Sequence, residues 1–214
     1  MDSKPISQKR DASATKKRIL TAAKNEFSKK GLGGARIDEI ALKSKANKRM
    51  IYHYFGNKEA LFLKTLEDAY IEIRGAEQSL NLIELDPEEA LIKLVRFTWD
   101  YYLKNPEFIT LVNSENLHKG KHLKKSKIIE DISNKFVSMV GAILDKGVAS
   151  GQFRSGIDPV QLNITIAAFG YYYLTNRHTG AIVYQRDLDS AEAYNERLKF
   201  NIETILRLVK TYER

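Results

Sequence analysis

The chain has 214 residues, 43% of them hydrophobic, and no cysteine. That bounds it to one or two domains of ordinary globular character and excludes disulfides and thiolate metal sites. The net charge of +8 is unevenly placed: residues 1–60 hold 15 Lys and Arg against 6 Asp and Glu, while the other 154 hold 20 against 21. A basic surplus confined to one end points to a polyanionic partner for that end. No run of eighteen apolar residues occurs, and the N-terminus MDSKPISQKRDASATKK lacks the apolar core of a secretory signal. No membrane association is expected, and the cytoplasm is the expected location.

Residues 1–13 are polar, contain Pro5 and lack periodicity, and so read as a disordered basic tail. Its Lys4, Lys9 and Arg10 are either simply solvated or form an arm along a minor groove. Ile19, Leu20, Ala23 and Phe27 recur at helical spacing, predicting a helix over 15–30 that Gly31, Gly33 and Gly34 end. Lys16, Lys17 and Arg18 would then crowd its start, which the helix dipole disfavours unless an anion lies nearby.

The segment RIDEIALKSKANKRMIYHYFGNK, residues 36–58, predicts two short helices joined by a tight turn. Ile37, Ile40 and Ala41 form the apolar face of the first; Met50, Ile51, Tyr54 and Phe55 supply that of the second. Asn47 suits the N-cap of the second helix. Lys48, Arg49, Tyr52 and His53 are poor core material but good material for a major groove, where cations reach guanine edges and Tyr and His reach phosphate. This is a helix-turn-helix whose second helix reads DNA, with Arg36 and Met50 completing the candidate contact set. Asn57 caps a following helix whose first-turn Lys58 and free N–H groups make a phosphate clamp. That helix continues through Leu61, Leu66, Tyr70 and Ile73, and is the single mechanical link to the rest of the chain.

Asp86-Pro87-Glu88-Glu89 and Asp158-Pro159 are helix starts of one kind: an N-cap, then Pro at the first position. Helices are predicted from Pro87 to Leu103, Pro106 to His118, Ser126 to Ser150, Pro159 through the tyrosines at 171–173, and Ser190 to Tyr212. The five lysines between Lys119 and Lys127 read as a solvated connection. His118 precedes it and His122 lies in it, four residues apart, and a metal site there is not expected. No alternating strand pattern appears, so the fold class is all-α with nine or ten helices.

The runs RILTAAKNEFSKKG, IDEIALKS and IYHYFGNKEALF resemble the DNA-binding end of the TetR family of bacterial regulators over roughly residues 15–65. The sequence departs from the family pattern at Ala35 and Arg36, at Lys45 in the turn, and at Arg49-Met50. The resemblance implies a helix-turn-helix domain over 14–60 and a larger helical effector-binding and dimerisation domain over 61–214. It implies a repressor, acting as a homodimer on double-stranded DNA, that a small-molecule effector releases by changing the separation of the two recognition helices. The alternative is an architectural or partner-regulated DNA-binding protein without a ligand. An enzyme is not expected: four histidines accompany no nucleophile triad or phosphate loop, and no cofactor is called for.

Aromatics mixed with a few polar groups give the candidate effector pocket: Trp99, Tyr102, Phe108, Asn113, Phe169, Tyr172, Tyr173 and Arg177. A four-helix dimer interface is expected around Leu198, Ile202, Ile205 and Val209 of the last helix.

Overall fold

The computed structural model describes residues 6–211, with side chains from residue 12 onward. The described residues form nine α-helices and two 3-10 turns, and no strand beyond one isolated bridge between Phe153 and Lys210. The helices are α1 (Ile6–Gly34), α2 (Ile37–Ser44), α3 (Lys48–Phe55), α4 (Lys58–Gln78), α5 (Pro87–Lys104), α6 (Pro106–Leu117), α7 (Lys127–Ala149), α8 (Pro159–Val183) and α9 (Ala191–Val209). Among the described residues no helix is long and apolar enough to cross a membrane.

Most of these elements begin where a local signal places them. Asn47, Asn57, Asp86, Asp158 and Ser190 each accept a backbone N–H from the following turn, at 2.8, 2.8, 3.0, 2.8 and 3.3 Å. Such bonds satisfy donors that a helix start otherwise leaves free. Gly31 interrupts α1 with φ 64°, a conformation that glycine adopts without a Cβ clash. The segment at 176–180 neither kinks nor stops α8, which runs on to Val183.

The N-terminal expectation needs correction. α1 starts at Ile6, so the backbone at 6–13 is helical rather than a disordered tail. Gln8, Lys9, Arg10 and Ala12 are good helix formers, and the lack of apolar periodicity hid them. Lys16, Lys17 and Arg18 therefore sit mid-helix, away from the positive end of the dipole. Lys4 and the side chains of Lys9 and Arg10 lie outside the described residues, as does Tyr212.

The chain divides into two compact units. The first comprises the residues up to Glu72 together with Pro106–Glu130. Its core holds Ile19, Ala23, Phe27, Ile40, Ile51, Leu61, Phe62 and Leu66, all essentially inaccessible. Phe27 and Phe62 meet edge to face with centroids 5.1 Å apart. The second comprises Ile73–Asn105 and Asp131–Arg214. There α5 packs against α8 and α9, burying Leu91, Leu94, Trp99, Leu162, Ile166, Leu198, Ile205 and Val209. Gly170 lets α8 approach α5: a Cβ there would come within 3.0 Å of the Tyr102 ring.

This division departs from a boundary at residue 60. α6 and the loop after it belong with the helix-turn-helix, because α1 packs along α6. Leu32 N donates to Ser114 Oγ at 3.3 Å, and Ser126 Oγ donates to the buried Glu67 at 2.6 Å. α4 is consequently not the single link between the helix-turn-helix and later sequence; α6 is a second.

Candidate nucleic-acid interface and effector grooves

The helix-turn-helix is held by one buried carboxylate. Glu26 of α1 is fully inaccessible. It accepts from Lys30 Nζ (2.8 Å), Lys43 Nζ (3.0 Å) and Arg36 N (3.3 Å). Arg36 precedes α2 and Lys43 lies in its last turn, so Glu26 ties α1 to both ends of α2. Burial alone would raise this carboxyl, but the bonds from Lys30, Lys43 and Arg36 outweigh it and bring it from 4.5 down to about 2. From the same face of α1, Arg18 Nε donates to Ser44 O at 3.2 Å. This places a cation at the negative end of α2. Periodicity revealed neither residue, because both look like surface charges in an amphipathic helix.

Lys45 makes the turn with φ 53°, in the left-handed region, and its N–H closes back on α2. α3 then presents two faces. Ile51 is buried and Met50, Tyr54 and Phe55 are half-buried. Lys48, Arg49, Tyr52 and His53 are exposed together on the other side, as positions i, i+1, i+4 and i+5 require. Lys48 pairs with Asp38 at 2.6 Å, both about half exposed, so a solvent-screened contact competes with any base contact. Arg36 is exposed at the entry to α2. Lys58 Nζ donates to Gly33 O at 3.2 Å, which holds the amine beside the N-terminus of α4. Lys16 lies over the Tyr54 ring, 5.3 Å from its centroid.

The Lys-rich stretch after α6 is not a solvated connection throughout. His122 is 2% exposed. Its Nδ1 lies 2.6 Å from Glu115 Oε2, while His122 N and Leu123 N donate to Oε1 at 2.7 and 3.0 Å. The ring packs edge-on against Phe62 of α4. Lysines flanking His122 gave no hint of this burial. Among the described residues no group of three or more His, Asp or Glu is placed to hold a metal ion.

The eight residues expected to form one effector pocket are divided between the two units. Phe108 and Asn113 lie in the first unit, where Phe108 packs on Tyr70. Trp99 and Tyr102 are buried in the core of the second, Trp99 against Tyr173 and Tyr194. Arg177 Nε donates to Asp189 at 2.7 Å, so this cation closes the α8–α9 connection within one chain. Tyr172 and Tyr173 line a groove of about 710 Å3 with Arg186, Arg197 and Phe200. In it the Arg197 guanidinium faces the rings of Phe169, Tyr173 and Phe200 at 5.3–5.8 Å. A second groove, unexpected from sequence, lies between α4 and α7 and contains Arg74, Glu77 and Phe136.

The expected dimer residues also need correction. Leu198, Ile205 and Val209 are 7%, 1% and 0% exposed; they fill the core of the second unit and are not available to a partner. Ile202 alone of the four is half-buried. The exposed apolar residues of the last two helices are others: Val160, Ile164, Tyr171, Tyr172, Ile182 and Val183 on α8, and Phe200 and Leu208 on α9. α9 is apolar on two faces, and spacing alone does not say which one turns inward.

Comparison with known proteins matches both ends of the chain. Residues 19–65 match the family model described as bacterial regulatory proteins, tetR family, and residues 87–205 match the tetracyclin repressor-like C-terminal domain. The chain is 42% identical over 196 residues to the HTH-type transcriptional repressor NicS of Pseudomonas putida, covering 92% of each chain. It is 38% identical over 111 residues to the HTH-type transcriptional repressor SCO4008 of Streptomyces coelicolor, covering 52% of this chain and 54% of that one. Among solved structures, a TetR family transcription regulator from Marinobacter aquaeolei superposes with a TM-score of 0.72 at 17% identity, over 96% of this chain and all of that one.

Proposed function

Because the chain belongs to the TetR family of bacterial regulatory proteins, and is a DNA-binding transcriptional regulator rather than an enzyme, we propose that it is a cytoplasmic repressor released from a two-fold operator by a small molecule. The observation that carries this reading is the exposed quartet of Lys48, Arg49, Tyr52 and His53 on α3, which follows an α2 that Glu26 ties to α1 at both ends. Arg49 and Lys48 take the base-reading roles, with Met50 at the edge of the contact. Tyr52, His53, Arg36 and Lys58 take phosphate roles.

One recognition helix reads too few base pairs to find a single genomic site, so a homodimer is part of the proposal. The exposed apolar stripe on α8 and α9, with Ile202 at its margin, is the surface that a second copy would cover. A ligand that favours one arrangement of the second unit alters the separation of the paired α3 helices through α4, and through α6 packed on α1. Successive major grooves on one DNA face lie about 34 Å apart, so a shift of a few ångströms prevents simultaneous docking. The ligand moves that equilibrium only by its differential affinity for the two arrangements.

The test is selection of bound duplexes from a random pool, followed by titration of the winner against salt. The intact protein is expected to select a palindromic site. Tyr52→Ala should weaken binding to all duplexes alike, whereas Arg49→Ala should change the preferred base at one position per half-site, worth about 1–3 kcal/mol of discrimination. Failure to prefer any duplex over random competitor at physiological salt would overturn the reading.

A further inference from the structure

The groove between the end of α4, the 3-10 turn Leu82–Glu84 and α7 has a volume of about 310 Å3, at the small end of the range for small-molecule sites. One wall is apolar, with Leu82, Phe136 and Met139. The other is the last turns of α4, where Arg74 and Glu77 form an ion pair with side chains 15% and 3% exposed. The Arg74 guanidinium carbon lies 3.9 Å from the centroid of the Phe136 ring, so the cation stacks on one face while its edge donates to Glu77 through Nη1. Its Nε is buried and has no hydrogen-bond partner among the described residues. Lys146 fixes the turn that forms the floor, donating to Ile83 O and Leu85 O at 3.3 and 2.6 Å.

The pair is not settled. Desolvation pushes the Glu77 carboxyl up to about 7, against the pull of Arg74. The charged groups around Glu77 are Arg74 on its own helix, Lys135 on α7 and Glu84 on the turn. When Glu77 holds a proton, the groove has two cations against one anion beside an apolar wall. That balance favours a negatively charged guest and disfavours a positive one.

We propose that this groove binds a small amphipathic monoanion, a carboxylate on a short apolar body. The carboxylate takes the Nε and terminal donors of Arg74 as a bidentate pair, and the apolar body lies against Phe136 and Met139. Glu77 gives up its place on Arg74 and takes one proton from solvent, so the charge in the groove is conserved. Binding itself stands apart from the effector role proposed above; only its consequence for DNA rests on that reading.

The probe is octanoate, titrated calorimetrically into the full chain near pH 7 in buffers of different protonation enthalpy, with octylamine as the cationic counterpart. One octanoate per chain is expected, with net proton uptake, and no heat from octylamine. Arg74→Gln should weaken octanoate at least about tenfold. Glu77→Gln should keep binding but lose the proton uptake, and Arg197→Gln, in the other groove, should change neither. Thermal melts confirm that each variant is folded. Absence of octanoate binding, equal binding of octylamine, or an unchanged affinity in Arg74→Gln would each overturn the proposal. Titration of a selected duplex with and without octanoate then separates the two readings: binding that leaves DNA affinity unchanged keeps the site and removes this ligand as the effector.

Discussion

Glu26 and Glu77 are both buried carboxylates on long helices, and the two units treat them in opposite ways. In the first unit Glu26 meets three donors and is driven down to about 2. In the second Glu77 meets one guanidinium and is driven up to about 7. The same contrast runs through the rest of each unit. Glu67 and Glu115 of the first are bonded by Ser126 and by His122 with Leu123 N. In the second, Arg74 Nε, Arg197 Nε and Asn201 Oδ1 are buried without partners among the described residues, against His122 Nε2 alone in the first. A buried polar group without a partner costs about 1–3 kcal/mol. A DNA-reading unit needs one fixed geometry, and closing its polar network provides that. The sensing role proposed for the second unit would need two arrangements of similar energy, and unmet groups leave room for a ligand or a second copy to decide between them.

The largest expected effect comes from denying the second unit its proposed partner. Ile164 is 52% exposed on α8, and Ile164→Asp should give monomers in sedimentation and lose most affinity for a palindromic duplex. Leu198, at 7% exposed, provides the contrast. Leu198→Ala should lower the melting temperature, at a cost of about 2–5 kcal/mol, while leaving the dimer in place. Dimers of Ile164→Asp would move the interface elsewhere.

Next in size is Glu26→Gln. Because the folded carboxyl lies below its unfolded value, its stabilisation is present above about 4.5 and is lost as pH falls toward about 2. Lys30 and Lys43 are nearly half exposed, so solvent screening brings its worth to about 2 kcal/mol. The variant should unfold more easily in urea at pH 7 by that amount, and should lose part of the stability difference between pH 5 and pH 3. An unchanged acid profile would show that the network is not what fixes α1 on α2.

What the sequence made readable, and what it did not, follows the range of each interaction. Asn47, Asn57, Asp86, Asp158 and Ser190 cap helices through bonds two or three residues away, so the caps and the helix order were legible. The outward quartet on α3 was legible for the same reason: an eight-residue helix with one apolar stripe has only one face to expose. Glu26, Arg18 and His122 find their partners on other elements or across a loop, and their neighbours in sequence are ordinary surface residues. α9 failed differently. Its two apolar faces satisfy one periodicity equally well, and only packing against α5 selects the face with Leu198 and Ile205. The expected pocket drew on aromatics close in sequence, Tyr102 and Phe108, that fall in different compact units, a division that spacing does not reveal.

Glu77 gives an effect of similar size and opposite sign. Its folded carboxyl lies above the unfolded value of 4.5, so its contribution is fully present below that pH and is lost as pH rises toward about 7. Wild-type stability should therefore fall between pH 5 and pH 8 by about 2 kcal/mol from this group. Glu77→Gln should remove that component of the slope, as read from paired urea titrations. Parallel profiles for the two proteins would mean that Arg74 already compensates the charge, and the contrast with Glu26 would disappear.

The smallest effect tests whether the first unit is as fully optimised as its polar network suggests. Lys45 holds φ 53° at the end of α2, where an L side chain costs about 1–2 kcal/mol that glycine avoids. Glycine also gives up more freedom on folding, which takes back about 0.5–1 kcal/mol. The balance predicts that Lys45→Gly stabilises by about 0.5 kcal/mol. The backbone bond from Ala46 N to Ala41 O, at 3.0 Å, does not depend on the side chain and should persist. A charge retained at that cost, beside the N-cap of the recognition helix, argues that the lysine contributes to the DNA complex. Lys45→Gly should accordingly show a shallower salt dependence of duplex binding, by about one counterion, alongside its higher melting temperature. A steeper or equal salt slope would leave the strained lysine without a binding role.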